Sequence, residues 1–259
     1  MRYRDYLLNR YRGILGYAGI ILFAIGLSFL LPLLVLPFYP EEAGLAGNFL
    51  LPGAILVILG VVSWRRLIRP ETVSLNMAEG MVVVVLVWTL VCLLGALPFM
   101  LVTDLNFTQA IFESVSGWTS TGLSIVDVEA APRMILLYRS ITQTLGGAGF
   151  VIIALAAVTG PAGAGLSAAE GRSEQLAPHV RQSASIVVRM LVIYTIFGIV
   201  ALRLAGMGWF DAVNHALTAI STGGFSTRAE SIGYWDSPQI EGVMIVLMLV
   251  GSVNFLAVY

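Results

Sequence analysis

Two short segments rich in hydroxyl groups and glycine stand out in a chain that is otherwise mostly apolar. The first reads SGWTSTGLS (residues 116–124) and the second reads TAISTGGFS (residues 218–226). Glycine lets a backbone leave helix and strand geometry. Backbone carbonyl oxygens that converge on one axis can replace the hydration shell of a monovalent cation without adding negative charge. The two segments therefore predict parts of a carbonyl-lined selectivity filter.

The predicted filter uses four consecutive residues of each segment. Their backbone carbonyls would bind the ion, and their hydroxyl groups would add oxygens or attach the loop to its surroundings. Neither segment contains a carboxylate, which fits a potassium-like ion better than calcium. The predicted ion-binding residues are Thr119, Ser120, Thr121, Gly122, Ile220, Ser221, Thr222 and Gly223.

Four further polar residues are predicted to support the filter. Glu113 precedes the first segment, and Arg139 lies about two turns into the next apolar stretch. Charges at such depth are costly and normally paired, so we expect an ion pair, the alternative being that each side chain reaches the interface separately. His215 and Glu241 occupy partly similar places in the second half. The alternative to a contact between them is a neutral His215 that serves as a hydrogen-bonding residue of the short helix.

The composition is that of an integral membrane protein. Of the 259 residues, 58% are hydrophobic and only 11% are charged, against about 25% charged in soluble domains. One cysteine and two distant histidines argue against a disulfide framework or a zinc site. The apolar stretches hold no nucleophile–base pair, so the chain is not predicted to be an enzyme or to bind an organic cofactor. A net charge of −1 argues against nucleic acid as a partner.

Six apolar stretches are long enough to cross a bilayer as helices, which takes about 20 residues each. Arginines cluster before the first stretch, after the second and in the linker at residues 159–183, whereas the alternate loops are acidic or neutral. By the positive-inside rule, both ends of the chain, including the N-terminus, are predicted to be cytoplasmic. The stretches are residues 13–36, 46–64, 79–101, 132–158, 184–205 and 239–258.

Each Ser-Thr-Gly segment follows a short helical stretch that cannot cross the membrane, within residues 107–127 and 209–230. Non-helical backbone at membrane depth occurs only where protein buries it or where it lines a water-filled cavity. A short helix followed by a polar return is therefore read as a re-entrant pore loop, the alternative being an amphipathic external loop. When the two segments are aligned by their shared Ser-Thr-Gly, Thr121 pairs with Thr222, 101 residues later.

The predicted fold is all-α, with an accessory two-helix hairpin followed by two span–pore-loop–span repeats of the same orientation. The hairpin occupies residues 1–70 and the repeats occupy residues 71–160 and 161–259. The segment GGAG (residues 146–149) resembles a phosphate-binding loop, but it lies inside an apolar stretch without a following lysine. Close helix packing is the favoured interpretation of that segment.

Five segments together resemble the Trk/Ktr/HKT superfamily of potassium transporters, specifically the Trk-type membrane subunit. They are FESVSGWTSTGLS (112–124), ILLYRSITQTLGGAGFVIIALA (135–156), GRSEQLAPHVRQSA (171–184), HALTAISTGGFST (215–227) and MLVGSVNF (248–255). The resemblance implies potassium uptake across the cell inner membrane, with one conserved glycine per loop matching Gly122 and Gly223. It also implies a cytoplasmic nucleotide-binding regulatory ring subunit (TrkA/KtrA-like) as partner, besides membrane lipid.

The superfamily packs four such units in one chain around a pseudo-fourfold axis, whereas this chain has two. The resemblance therefore implies either the N-terminal half of a pore subunit, with the gate in the missing half, or a homodimer. A sodium- or proton-coupled secondary transporter is the alternative function. Such folds often have inverted repeats, and the parallel repeats of this chain favour the channel-like interpretation.

Overall fold

The computed structural model describes residues 3–67, 77–159 and 176–252, and this part of the chain is helical without β-strands. The all-α prediction is therefore confirmed. Short 3-10 helices occur at Leu31–Val35, Pro40–Leu45 and Ser231–Trp235. The α-helices are α1 (Tyr3–Ser28), α2 (Gly47–Leu67), α3 (Met77–Gly95), α4 (Leu97–Val102), α5 (Phe107–Trp118), α6 (Arg133–Thr159), α7 (Leu176–Leu204), α8 (Trp209–Ile220) and α9 (Pro238–Ser252).

Three segments of the described part are long and apolar enough to cross a membrane: Tyr6–Val35, Gly47–Leu67 and Ala78–Val102. They correspond to the first three predicted spans. Of the other three, α6 and α7 contain 27 and 29 residues, which is sufficient length, and α9 is a shorter apolar helix within the described residues. Helices of this length and composition make the chain a membrane protein.

Helices α1 and α2 pack closely against each other because glycines line their contact. A Cβ added to Gly60 would lie 2.6 Å from the backbone nitrogen of Phe23, and one added to Gly26 would lie 2.9 Å from the carbonyl oxygen of Gly53. Small residues at a helix interface let two backbones approach, which is the main way to gain packing energy in lipid. An ion pair between Arg10 and Glu79 also joins α1 to the start of α3.

The helix pair α1–α2 is attached to the rest of the molecule by an aromatic cluster around Tyr138. The Tyr138 ring centroid lies 5.4, 5.5 and 5.3 Å from those of Phe29, Phe49 and Phe99, respectively. The Tyr138 hydroxyl donates a hydrogen bond of 3.0 Å to the carbonyl oxygen of Gly95. Tilted and edge-on ring contacts of this kind add to the energy of burial, and here they fix α6 against the N-terminal helices.

Helices α5 and α8 have 12 residues each, which is too short to cross a bilayer. Helix α5 begins with a capping box, in which the Asn106 side chain accepts from the Gln109 amide and the Gln109 side chain accepts from the Asn106 amide, both at 3.0 Å. Helix α8 begins after Gly208 with no side-chain cap and carries Asp211 in its first turn, where a negative charge complements the helix dipole.

Helix α6 packs against both α5 and α8. It carries a run of buried polar side chains, which are Arg139, Ser140, Thr142, Gln143 and Thr144. Two of them reach α8 directly, since the Ser140 hydroxyl donates to the Asn214 side-chain oxygen at 2.7 Å and the Thr144 hydroxyl donates to the Leu217 carbonyl at 3.2 Å. Polar groups at membrane depth are tolerated because protein, not lipid, surrounds them.

Candidate functional site

The backbone leaves the helices α5 and α8 in the same way. Thr119 and Ser221 follow the last helical residues with φ, ψ of −88°, 2° and −82°, 2°. The next residues, Ser120 and Thr222, both have φ of 53°, which is uncommon for residues other than glycine. We call residues 119–124 the first loop and residues 221–226 the second loop.

Backbone hydrogen bonds give the same alignment of the two loops. The Thr121 amide donates to the Ser116 carbonyl at 3.0 Å, and the Gly223 amide donates to the Thr218 carbonyl at 2.8 Å. Thr121 is therefore equivalent to Gly223, and the loops align at an offset of 102 residues. The sequence-based pairing of Thr121 with Thr222, at 101, is wrong by one position.

This shift changes which glycines are equivalent. Gly122 has φ of +83° and Gly224 has φ of +89°, whereas Gly223 has no positive φ. The predicted equivalence of Gly122 with Gly223 is therefore replaced by Gly122 with Gly224. The shared triplet Ser-Thr-Gly suggested the wrong pairing. Equivalent residues are those at the same distance from the end of the short helix, because the backbone conformation of each loop is set from that end. Alignment of SGWTSTGLS with TAISTGGFS from the helix outward would have found Gly224.

Ile220 does not belong to the second loop. It is the last residue of α8 and is 2% exposed within an apolar cluster. A Cβ added to Gly251 would lie 2.6 Å from its carbonyl oxygen, so helix α9 covers that oxygen. The equivalent Trp118 carbonyl is covered by Gly146, whose added Cβ would lie only 1.9 Å away. The inference that GGAG packs closely against another helix is therefore supported at its first glycine.

The two loops touch each other at their glycines. A Cβ added to Gly122 would lie 2.0 Å from the Gly223 carbonyl oxygen, which no side chain could accommodate. The side chains of Thr119 and Thr121 are exposed, and their hydroxyl oxygens are 2.7 Å apart. Thr222 and Gly224 are also exposed, whereas Ser221 and Gly223 are buried. The structure thus brings together seven of the eight predicted ion-binding residues on adjacent loops and leaves out Ile220.

The predicted contact between Glu113 and Arg139 is present and buried. Arg139 Nε donates to Glu113 Oε1 at 2.9 Å, and the two side chains are 2% and 0% exposed. The remaining carboxylate oxygen accepts from the Ile125 amide at 3.0 Å, and Ser124 Oγ donates to Oε1 at 2.9 Å. Both charges are thus hydrogen-bonded, as a buried ion pair requires.

Arg139 also contacts the second loop, which the sequence did not predict. Its Nη1 donates to the Ser226 carbonyl at 2.9 Å and its Nη2 donates to Ser124 Oγ at 2.7 Å. The guanidinium carbon lies 4.1 Å from the centroid of the Phe225 ring, within cation–π range. One guanidinium therefore joins equivalent positions of the two loops, since Ser124 and Ser226 are 102 residues apart.

Gln143 is a second contact residue of α6 that sequence reasoning missed. Its Nε2 donates to the Gly223 carbonyl at 2.9 Å, and its Oε1 accepts from the Phe225 amide at 3.0 Å. Its own carbonyl accepts from Ser120 Oγ at 3.1 Å. The available signal was the spacing, because residues four apart on a helix share one face, and Gln143 is one turn beyond Arg139.

His215 is buried beside the second loop, but Glu241 is not its partner. The His215 Nδ1 pairs with the Asp211 carbonyl at 2.8 Å and its Nε2 pairs with Ser226 Oγ at 2.9 Å. Both ring nitrogens are therefore occupied, and Trp235 packs edge-on at 5.1 Å. Glu241 is exposed, because α9 turns Ile240, Met244 and Leu247 inward instead. The predicted contact is wrong, and the hydrogen-bonding alternative for His215 describes the structure.

A second polar cluster, centred on Asp211, holds the residues that directly follow the second loop. Asp211 Oδ1 accepts from the Thr227 hydroxyl at 2.6 Å, and its Oδ2 accepts from Arg228 Nη2 at 3.2 Å. Arg228 Nη1 also lies 3.7 Å from Glu129 Oε2, in the segment that follows the first loop. The sequence did not predict these contacts of Asp211.

The connection between α1 and α2 reaches the start of α6. Glu42 accepts hydrogen bonds from the amides of Arg133 and Met134, at 2.7 and 2.8 Å, with its two carboxylate oxygens. These amides have no partner inside the helix, so the carboxylate caps it. A cavity of about 350 Å³ adjoins this contact. Its lining residues are Tyr39, Glu41, Glu42, Val128, Glu129, Ala131, Arg133, Thr227 and Arg228.

The fold is that of a known class of membrane transport protein. The model of the TrkH family, described as cation transport protein, matches residues 46–259. The chain belongs to this family. Its α-helical architecture also matches the crystal structure of the potassium transporter TrkH from Vibrio parahaemolyticus, with a TM-score of 0.80 at 32% identity over 95% of this chain and 50% of that one.

Curated relatives agree with this membership. An uncharacterized cation transporter of Methanocaldococcus jannaschii is 35% identical over 95% of this chain and 52% of its own length. The Trk system potassium uptake protein TrkH of Salmonella typhimurium is 34% identical over the same fractions, and TrkG of Escherichia coli is 32% identical over 92% and 50%. The chain spans about half the length of these relatives.

Proposed function

We propose that the protein transports potassium across the cell inner membrane through a filter lined by backbone carbonyls of the two loops. The observation that carries the proposal is the identical exit of the backbone from α5 and α8, with left-handed conformations at Ser120 and Thr222 and again at Gly122 and Gly224. Relatives named Trk system potassium uptake proteins at 32–34% identity support the choice of ion.

In this proposal, the ion-binding residues are Thr119, Ser120, Thr121 and Gly122 with Ser221, Thr222, Gly223 and Gly224. Potassium is the transported ion, and carbonyl dipoles balance its dehydration without trapping it. The Gly223 carbonyl already accepts one hydrogen bond from Gln143. A carbonyl oxygen has two lone pairs, so its second lone pair is the one offered to the ion. Glu113, Arg139 and His215 support the loops, whereas the exposed Glu241 does not.

Two loops surround only part of an ion, so the proposed pore needs more than one copy of this arrangement. We propose an accessory hairpin at residues 1–70 and span–pore-loop–span units at 71–160 and 161–259. This chain would then correspond to the N-terminal half of a pore subunit with four such units, and the gate would lie in the other half. Assembly of the pore subunit as a homodimer is a further part of the proposal.

The proposed orientation places the N-terminus in the cytoplasm. Arg65 and Arg66 at the end of α2 and the arginines that precede the first span support this orientation through the positive-inside rule. A cytoplasmic nucleotide-binding regulatory ring subunit is the proposed partner. No feature of the described residues favours a sodium- or proton-coupled secondary transporter.

The test is ion flux in vesicles that contain the complete gene product. We expect potassium to move down its own gradient in the absence of a proton or sodium gradient, with sodium moving more slowly. Vesicles without protein provide the background. A flux that strictly requires a proton or sodium gradient would instead indicate a coupled transporter.

A further inference from the structure

Gln143 is a buried residue whose side-chain amide contacts the second loop and whose backbone carbonyl contacts the first, and the filter proposal does not itself require it. It is 0% exposed and lies on α6, outside the loops. We propose that Gln143 is a specificity-determining residue, because it fixes the Gly223 carbonyl relative to Gly122. This inference rests on the proposed function, since it concerns the selectivity of the same filter.

The contacts of Gln143 with Gly223 leave the carbonyl little freedom. A Cβ added to Gly223 would lie 2.2 Å from Gln143 Oε1 and 2.4 Å from its Cδ, so the amide group packs directly against the glycine. On its other side, the Gly223 carbonyl oxygen lies 2.0 Å from the Cβ position of Gly122. The carbonyl thus contacts the Gln143 amide on one side and the first loop on the other. Movement of the amide would move the carbonyl.

An amide is the side chain that this site requires. Gln143 donates to the Gly223 carbonyl and accepts from the Phe225 amide, and a glutamine amide carries both a donor and an acceptor. A glutamate carboxylate could accept from Phe225 but could not donate to Gly223. A methionine would do neither, and it would leave two buried backbone groups without a partner.

The same residue also contacts the first loop. Ser120 Oγ donates to the Gln143 carbonyl, so one residue of α6 is hydrogen-bonded to both loops. Arg139, one turn earlier, likewise contacts both loops, at Ser124 and Ser226. Helix α6 therefore holds the two loops at a fixed height relative to each other, through two residues on one face.

Helix α9 lacks these groups. Gly146 and Gly251 each pack against the last carbonyl of a short helix, so these two residues are equivalent. This alignment places Met244 and Met248 where α6 carries Arg139 and Gln143. Met248 is 54% exposed. Of α6 and α9, only α6 therefore carries polar side chains that hydrogen-bond to the loops within the described part of the chain.

The test compares Gln143→Met and Gln143→Glu with the unmodified complete gene product. Equal amounts of protein are placed in vesicles, and the ratio of potassium to sodium permeability is measured from the reversal potential. We expect the ratio to fall about tenfold in Gln143→Met, since the hydrogen bond lost by the Gly223 carbonyl is worth roughly that factor. Gln239→Met, the same change at an exposed position of α9, is the control and should leave the ratio unchanged.

Gln143→Glu separates a chemical role from a purely structural one. A protonated carboxyl group has one donor and one acceptor, like the amide it replaces. The selectivity of Gln143→Glu should therefore increase as the pH is lowered, whereas that of Gln143→Met should not respond. This variant conserves side-chain volume, so it also serves if Gln143→Met fails to fold.

Two outcomes would overturn the inference. One is an unchanged permeability ratio in folded Gln143→Met, and the other is a Gln143→Glu ratio equal to that of the unmodified protein at every pH. Failure of the proposed function looks different, because the unmodified protein would then show no potassium-selective flux at all.

Discussion

Glycine is required at residues 122 and 224 for reasons that differ in strength. Both have left-handed φ, of +83° and +89°, a conformation that costs other residues about 1–2 kcal/mol. Gly122 is in addition enclosed, because its missing side chain would collide with the Gly223 carbonyl. The nearest atom to a Cβ at Gly224 is 3.8 Å away, at ordinary contact distance. A side chain would therefore strain the backbone at both positions, but it would overlap with another atom only at Gly122.

We therefore expect Gly122→Ala and Gly224→Ala both to weaken potassium preference, and Gly122→Ala also to lower the thermal stability clearly more. Gly233→Ala is the matched control, because no atom lies within 4 Å of its Cβ position and its φ is not left-handed. Permeability ratios and melting temperatures measure the two effects. Equal losses of stability in both loop variants would contradict the enclosed geometry of Gly122.

The residues that the sequence could identify are those whose chemistry conflicts with lipid. Glu113 and Arg139 are charges inside apolar surroundings. Their contact could be predicted from the energetic cost of leaving either charge unpaired there. The contacts of Gln143 and the second-loop contacts of Arg139 depend on where α6 lies relative to α8. No local periodicity encodes that position. Glu241 was misjudged for the same reason, since its helix turns a different face inward.

Helix α6 is the element that joins the N-terminal helices to both loops. Its inner face holds Arg139 and Gln143, Tyr138 packs among three aromatic rings from outside the helix, and its first amides are capped by Glu42. The sequence predicted the helix and its length, but not this cap, which comes from a residue more than 90 positions earlier. Long-range capping leaves no pattern in a single sequence.

Removal of the cap should destabilise the start of α6. We expect Glu42→Ala to cost about 1 kcal/mol, since a lost helix cap typically has that effect, and to lower the melting temperature by about 2–4 °C. Glu41→Ala is the control, because Glu41 is an exposed neighbour. Thermal unfolding of the two variants in detergent gives the comparison. Equal melting temperatures would show that the cap contributes nothing to stability.

In the molecule as a whole, the two loops touch each other at Gly122 and Gly223. Thr119, Thr121 and Thr222 of these loops remain exposed. Exposed hydroxyl and carbonyl groups at membrane depth require either water or further protein around them. The relatives are about twice as long as the aligned region, which would supply further protein in a complete pore. The resemblance to a superfamily with four such units implied a ring, of which the two loops of this chain would form half.

The proposed half-ring predicts how residues 1–259 should behave when expressed alone. As a monomer, the chain should show no potassium-selective flux in vesicles, because two loops do not enclose an ion. If two copies associate, selective flux should appear and should increase with the square of the protein density in the membrane. Cross-linking and flux measured across a range of densities distinguish these cases, and Gly122→Ala provides a control for flux through the filter. Selective flux that is linear in density, from a monomer, would contradict the half-ring.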